Sequence, residues 1–193
     1  MAVPADTIFV VSGLPRSGTS MLMRMLEAGG LPSVTDGERS ADEDNPRGYY
    51  ELEAVKRTDK NDGWLDGAGG RAVKVISQLL ANLPDSRSYK VVFIRRNLDE
   101  ILASQKKMLA RRGESNDSTD DEMKEMFVKH VDEVEAWLQN AAHMDVLYVS
   151  YNRIMADPAP QAARINRFFG GFLDEDSMRA VVEPDLYRNR AQG

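Results

Sequence analysis

The stretch FVVSGLPRSGTSMLMRML, residues 9–26, constrains this chain more than any other. It overlaps TIFVV (7–11), where every residue is β-branched or aromatic, the pattern of a strand buried on both faces. Gly13 and Gly18 frame a turn, and from about Ser17 the spacing of Met21, Leu22, Met25 and Leu26 predicts a helix with one apolar face. Gly29-Gly30, with Pro32 just beyond, ends it. Strand, glycine-bearing turn and helix in direct succession is how a phosphate-binding loop is built. The lysine that usually follows the last glycine is missing, because Thr19 stands there.

Three more apolar runs repeat the strand signal: RAVKVI (71–76), YKVVFI (89–94) and MDVLYVSY (144–151). Between them, SQLLANLP (77–84) reads as a short helix closed by Pro84. Residues 96–112 keep Leu98, Ile101, Leu102, Met108 and Leu109 at helical spacing, with Asn97 as cap and Glu100 completing a capping box. Helix 122–141 turns Met123, Phe127, Val131, Val134 and Leu138 inward, and Asp157-Pro158 opens a further helix that stops at Gly170-Gly171. Continuous apolar strands alternating with helices imply parallel pairing with both sheet faces covered. The expected fold is α/β, three layers (α/β/α) around a central parallel sheet, as in P-loop NTPases. At 193 residues, without an internal repeat, the chain reads as a single domain over 1–193. Polar, Gly- and Asp-rich stretches at 33–48, 61–70 and 113–121 read as loops.

Composition narrows the function classes. A net charge of -6 argues against non-specific nucleic-acid binding, which needs clustered Lys and Arg to neutralise phosphates. Without cysteine there is neither a disulfide nor a thiolate metal site, and the two histidines, His130 and His143, form no ligand cluster. No apolar run is long enough for a secretory leader or a membrane span, so the expectation is a cytoplasmic protein with no membrane partner.

In a parallel sheet the ligand lies at the carboxyl ends of the strands. After the first strand, backbone N–H groups from about Arg16 to Ser20 can ring a tetrahedral anion at the helix N-terminus. Arg16 supplies the charge that the absent lysine would have given, and Ser17, Thr19 and Ser20 add hydroxyls. The third strand ends in Arg95-Arg96, where a nucleotide-hydrolysing P-loop protein would carry a magnesium-binding Asp. A second anion and no required metal are therefore expected. Ser104, seven residues past Asn97, is nearly two helical turns on and can join Arg96 at that anion.

These residues carry a family resemblance. GLPRSGTS (13–20) resembles the 5′-phosphosulfate loop of the sulfotransferases, and RNLDEILAS (96–104) resembles their 3′-phosphate segment. VLYVSYNRIMADP (146–158) is similar to a third shared stretch, NPRGYYE (45–51) to one common in bacterial members, and LYRNR (186–190) to a basic segment near the C-terminus. The resemblance implies binding of 3′-phosphoadenosine 5′-phosphosulfate (PAPS) and transfer of its sulfuryl group to a small-molecule acceptor, leaving PAP, without a metal. Carried over, it implies cosubstrate binding by Pro15, Arg16, Ser17, Gly18, Thr19, Ser20, Arg96, Ser104, Tyr151 near the adenine, and Arg188.

The acceptor needs a base. Cytosolic sulfotransferases carry a His two residues past a strand Lys; here Lys74-Val75-Ile76 puts Ile76 at that position. Other branches use Glu, which makes Glu51 the leading candidate and Glu53 the next, with Lys74 assisting at the sulfuryl group and Arg16 at the leaving oxygen. Trp64 lines an acceptor pocket or anchors its loop. Loops 33–48, 61–70 and 111–121 are expected to build the acceptor site, and their acidic bias suits a neutral or cationic acceptor. The competing readings are a P-loop small-molecule kinase, weakened by the missing lysine and magnesium Asp, and a non-catalytic nucleotide-binding module.

Overall fold

The strand TIFVVSG, β1 (Thr7–Gly13), lies inside a four-stranded parallel sheet with β2 (Ala72–Lys74) on one side and β3 (Ser88–Arg95) on the other; β4 (Met144–Ser150) completes the order β2-β1-β3-β4. The computed structural model describes residues 3–37, 48–114 and 118–183. The helices are α1 (Thr19–Ala28), α2 (Leu98–Arg112), α3 (Asp120–Leu138), α4 (Tyr151–Ala156), α5 (Pro158–Phe169) and α6 (Glu175–Ala180), with 3₁₀ turns at Glu53–Arg57, Gly63–Gly67 and Ser77–Asn82.

Two cores explain why the strands read as unbroken apolar runs. Phe9 and Val11 pack on one face with Leu22 and Met25 of α1 and with Ile154, Ile165, Phe169 and Met178 of α4, α5 and α6. Ile8 and Val10 pack on the other with Val91, Phe93, Val55, Leu80 and Leu138. A strand covered on both sides needs no polar alternation. The three-layer α/β reading holds.

Boundaries shift where side chains compete for the helix ends. α3 begins two residues before its expected start, because Thr119 and Glu122 form a reciprocal capping box. At α2 the expected capping box does not form. Asn97 accepts from the Asp99 N–H at 2.8 Å, but the Glu100 carboxylate is drawn to Arg96 instead. The 77–84 helix is a 3₁₀ turn. No helix among the described residues is long and apolar enough to cross a membrane.

Registers set the site. Gly13 lies beside Ile94, Val11 beside Lys74 and Arg95 beside Ser150, so the four strands end along one edge of the sheet. The chain order switches about β1, with β2 to one side and β3 to the other, which opens a crevice where connections leave in opposite directions.

Candidate active site

The glycine turn is shaped by one unusual residue. Arg16 has φ 70, a left-handed conformation rare for a side chain with a Cβ. Gly18, the N-cap of α1, has φ 105 and no side chain to satisfy the first helical N–H groups, so the dipole end of α1 faces the crevice without a side-chain cap. A Cβ at Gly18 would stand 2.4 Å from the Tyr151 ring, which therefore packs directly on the turn. Ser17 is buried and its Oγ has no hydrogen-bond partner, an uncommon state for a buried hydroxyl and one that suits a polar ligand.

The start of α2 meets this turn. Arg16 Nε donates to Ser104 Oγ at 3.0 Å, and Arg96 Nη1 donates to the Arg16 carbonyl at 3.1 Å. The Arg96 guanidinium lies 4.2 Å from the Tyr151 ring centroid, a cation–π geometry. Its Nε donates to Glu100 at 2.9 Å, both side chains being buried, and Asn152 Nδ2 donates to the other Glu100 oxygen at 3.1 Å. Burial raises the Tyr151 phenol above its ordinary pKa against the opposing pull of Arg96; Glu100 adds to the rise.

Arg95, the other half of the arginine pair, takes no part. It makes a two-pronged contact with Glu135 on α3 and lies 4.2 Å from the Tyr148 ring centroid.

Opposite the glycine turn, Lys74 at the end of β2 is buried. Its Nζ donates to the Tyr49 carbonyl, and Glu51 Oε1 lies 3.6 Å away. Ser20 Oγ donates to the same carbonyl at 3.3 Å. The 49–51 segment is thus stitched to both α1 and β2, which brings the Glu51 carboxylate beside the only lysine of β2. Glu53, the alternative base, instead accepts from Lys56 at 2.7 Å.

Pro15, Arg16, Gly18, Thr19, Ser20, Arg96, Ser104, Tyr151, Glu51 and Lys74 all line one cleft of about 580 Å³. Ser17 lies buried beneath it. Arg188 lies outside the described residues, as does the first part of NPRGYYE. Ile76, two residues past Lys74, faces the cleft. Neither histidine replaces it: His130 pairs with Ser77 at 2.9 Å, and His143 packs edge-on against Tyr89 and Trp137. Trp64 anchors its own loop by donating to Thr58 Oγ1 at 3.1 Å and does not line the cleft.

Of the loops expected to build the acceptor site, 38–47 and 115–117 lie outside the described residues. No described residue of 33–48 before Tyr49, and none of 61–70, lines the cleft. Its far side is made by Leu52, Val55, Leu79, Met108 and Phe127. Among the described residues of 111–121, Arg111 and Arg112 line the cleft, and both are basic. Sequence reasoning missed the Glu100–Asn152 support of Arg96. The four-residue spacing of Arg96 and Glu100 was its one available signal.

A family model described as "Sulfotransferase domain" matches residues 6–187. No curated protein matches the chain. Among solved structures, a mouse sulfotransferase complexed with PAP is similar at 19% identity, over 94% of this chain and 65% of that one, with TM-score 0.57. The sulfotransferase domain of a Synechococcus olefin synthase is similar at 15% identity, over 100% and 90%, with TM-score 0.56. A sulfotransferase from Alicyclobacillus acidocaldarius is similar at 17% identity, over 96% and 89%, with TM-score 0.51. The chain spans just under two thirds of the mouse protein's length. At these identities the likeness shows the fold.

Proposed function

The chain belongs to the sulfotransferase domain family, and from that premise we propose that it transfers the sulfuryl group of PAPS to a hydroxyl or amine of a small-molecule acceptor, releasing PAP. The observation that carries this reading is the meeting of Arg16, Arg96 and Ser104 in one cleft, at 3.0 and 3.1 Å. Two anion-binding elements that close together suit a ligand with a phosphosulfate at one end and a second phosphate at the other.

In this reading Pro15 to Ser20 hold the 5′-phosphosulfate through backbone N–H groups, the Ser and Thr hydroxyls and the α1 dipole. Arg96 and Ser104 hold the 3′-phosphate, with Arg188 as a further candidate, and Tyr151 provides an aromatic face toward the adenine. PAPS supplies the transferred group: its sulfur–oxygen bond to the 5′-phosphate breaks as a bond to the acceptor oxygen or nitrogen forms. Charge then builds on the leaving and equatorial oxygens, as in a loose in-line phosphoryl transfer. Arg16 stabilises the leaving oxygen and Lys74 the equatorial ones. Glu51 takes the acceptor proton. The 3.6 Å approach of Glu51 to Lys74 supports this pairing of proton acceptor and cation.

The test is a thermal shift with PAP and with ATP–Mg²⁺, followed by transfer from radiolabelled PAPS to a panel of phenols, alcohols and amines. Stabilisation by PAP and labelled product support the reading. Stabilisation by ATP–Mg²⁺ alone would replace it with a kinase, and PAP binding with no product from any acceptor would favour a non-catalytic module.

A further inference from the structure

The carboxylate that holds Arg96 is itself held by Asn152, a residue outside the cleft lining. Glu100 is 3% exposed, and each of its oxygens meets a different side chain. Oε2 accepts from Arg96 Nε at 2.9 Å and Oε1 from Asn152 Nδ2 at 3.1 Å. On its other side the Asn152 amide oxygen accepts from the N–H of Asn97, the N-cap of α2, at 3.4 Å. A carboxylate only accepts and a backbone N–H only donates, so one orientation of this amide serves both neighbours.

The sheet brings these groups together. Ser150 at the end of β4 is level with Arg95 at the end of β3, so the chain enters α4 beside the start of α2. Tyr151 and Asn152 are the first two residues of α4, and they reach the Arg96 guanidinium by two routes. The Tyr151 ring faces it at 4.2 Å, and Asn152 reaches it through Glu100. A buried guanidinium–carboxylate pair offsets its desolvation only where the geometry is fixed and the lone pairs are satisfied. A carboxylate gripped at one oxygen can swing about that contact. Gripped at both, it fixes the direction of its partner.

Resting on the cosubstrate proposed above, we propose that Asn152 is a positioning residue for the 3′-phosphate. By holding the second oxygen of Glu100 it keeps the Arg96 guanidinium aimed at that phosphate. It thereby sets how strongly a 3′-phosphorylated adenosine is preferred over one without that group. The role requires the amide rather than its size, because Asp at this position would turn a second acceptor toward Glu100 in place of a donor.

The test uses the full chain and needs only binding. PAP and 5′-AMP, which lacks the 3′-phosphate, are titrated by calorimetry into the parent protein, N152A and N152D. The two phosphorus resonances of bound PAP are followed by NMR. Both variants should bind PAP about three- to tenfold more weakly, as for loss of one hydrogen bond, with 5′-AMP affinity unchanged. The 3′-phosphate resonance should move toward its free-solution position while the 5′-phosphate resonance stays. Where 5′-AMP binds too weakly to titrate, the resonances decide, and N152D, close in size to the parent side chain, decides if N152A does not fold. Unchanged PAP affinity overturns the inference. So do equal losses for both nucleotides with both resonances displaced, since a general loosening of α4 would weaken both ends alike. No PAP binding by the parent sinks the sulfotransferase reading together with this inference; PAP binding with a 3′-phosphate resonance indifferent to Asn152 sinks this inference alone.

Discussion

Arg16 in the glycine turn donates its Nε to Ser104 Oγ on α2 at 3.0 Å, joining two residues 88 positions apart. This bond adds Ser104 to the run of contacts from Arg16 through Arg96 to Tyr151, and it links the loop expected to hold one anion to the segment expected to hold the other.

Arg96→Ala should weaken PAP binding several-fold to about a hundredfold, the loss expected of a charge-assisted hydrogen bond worth ~1.5–3 kcal/mol. It should also destabilise the fold, since Glu100, buried with Arg96, loses the guanidinium that pairs it. Glu100→Ala takes this carboxylate from a buried guanidinium and should cost about 3–5 kcal/mol of stability. Calorimetry with PAP and urea unfolding separate the two effects. Unchanged stability in both variants would mean that the pair does not hold this corner together.

Arg16→Ala should lower turnover by on the order of 10²–10³, as for loss of one transition-state donor, while PAP affinity changes much less. Single-turnover kinetics beside PAP titration checks this. Equal losses would reassign Arg16 to ground-state binding.

Glu51→Gln should keep PAP affinity and lower turnover by about 10²–10⁴, the usual contribution of a positioned base. Turnover within threefold of the parent would pass the role to another group.

Tyr50 and Tyr89 have pKa values raised to about 12, chiefly by burial, with Glu27 adding to the effect at Tyr50. Tyr148 and Tyr151 are raised as well, again first by burial. A raised folded-state pKa favours the protonated phenol, so its stabilising contribution is complete below the unfolded value of 10.0 and is lost as pH climbs toward 12. Thermal stability should therefore fall steeply above about pH 10, with tyrosinate absorbance rising together with unfolding. Four phenols titrating near pH 10 in a protein that stays folded would contradict this.

Much of the molecule was legible in the chain because the relevant forces are local. Four apolar runs specify parallel strands, and the glycines at 13 and 18, with Arg16 between them, specify the tight turn from β1 into α1. Arg96 and Ser104 follow from a strand end and helical spacing. Other features depend on which groups meet. Arg95 and Arg96 are adjacent and chemically identical, yet β3 sends one to Glu135 and the other to Arg16 and Glu100. Glu100 fits a capping box by spacing, but a buried guanidinium attracts it more strongly than an exposed backbone N–H. Which side chains line the cleft is likewise decided by packing. Composition averages over a loop, whereas a cleft is lined only by side chains that packing turns inward, and among the described residues of 111–121 those are Arg111 and Arg112.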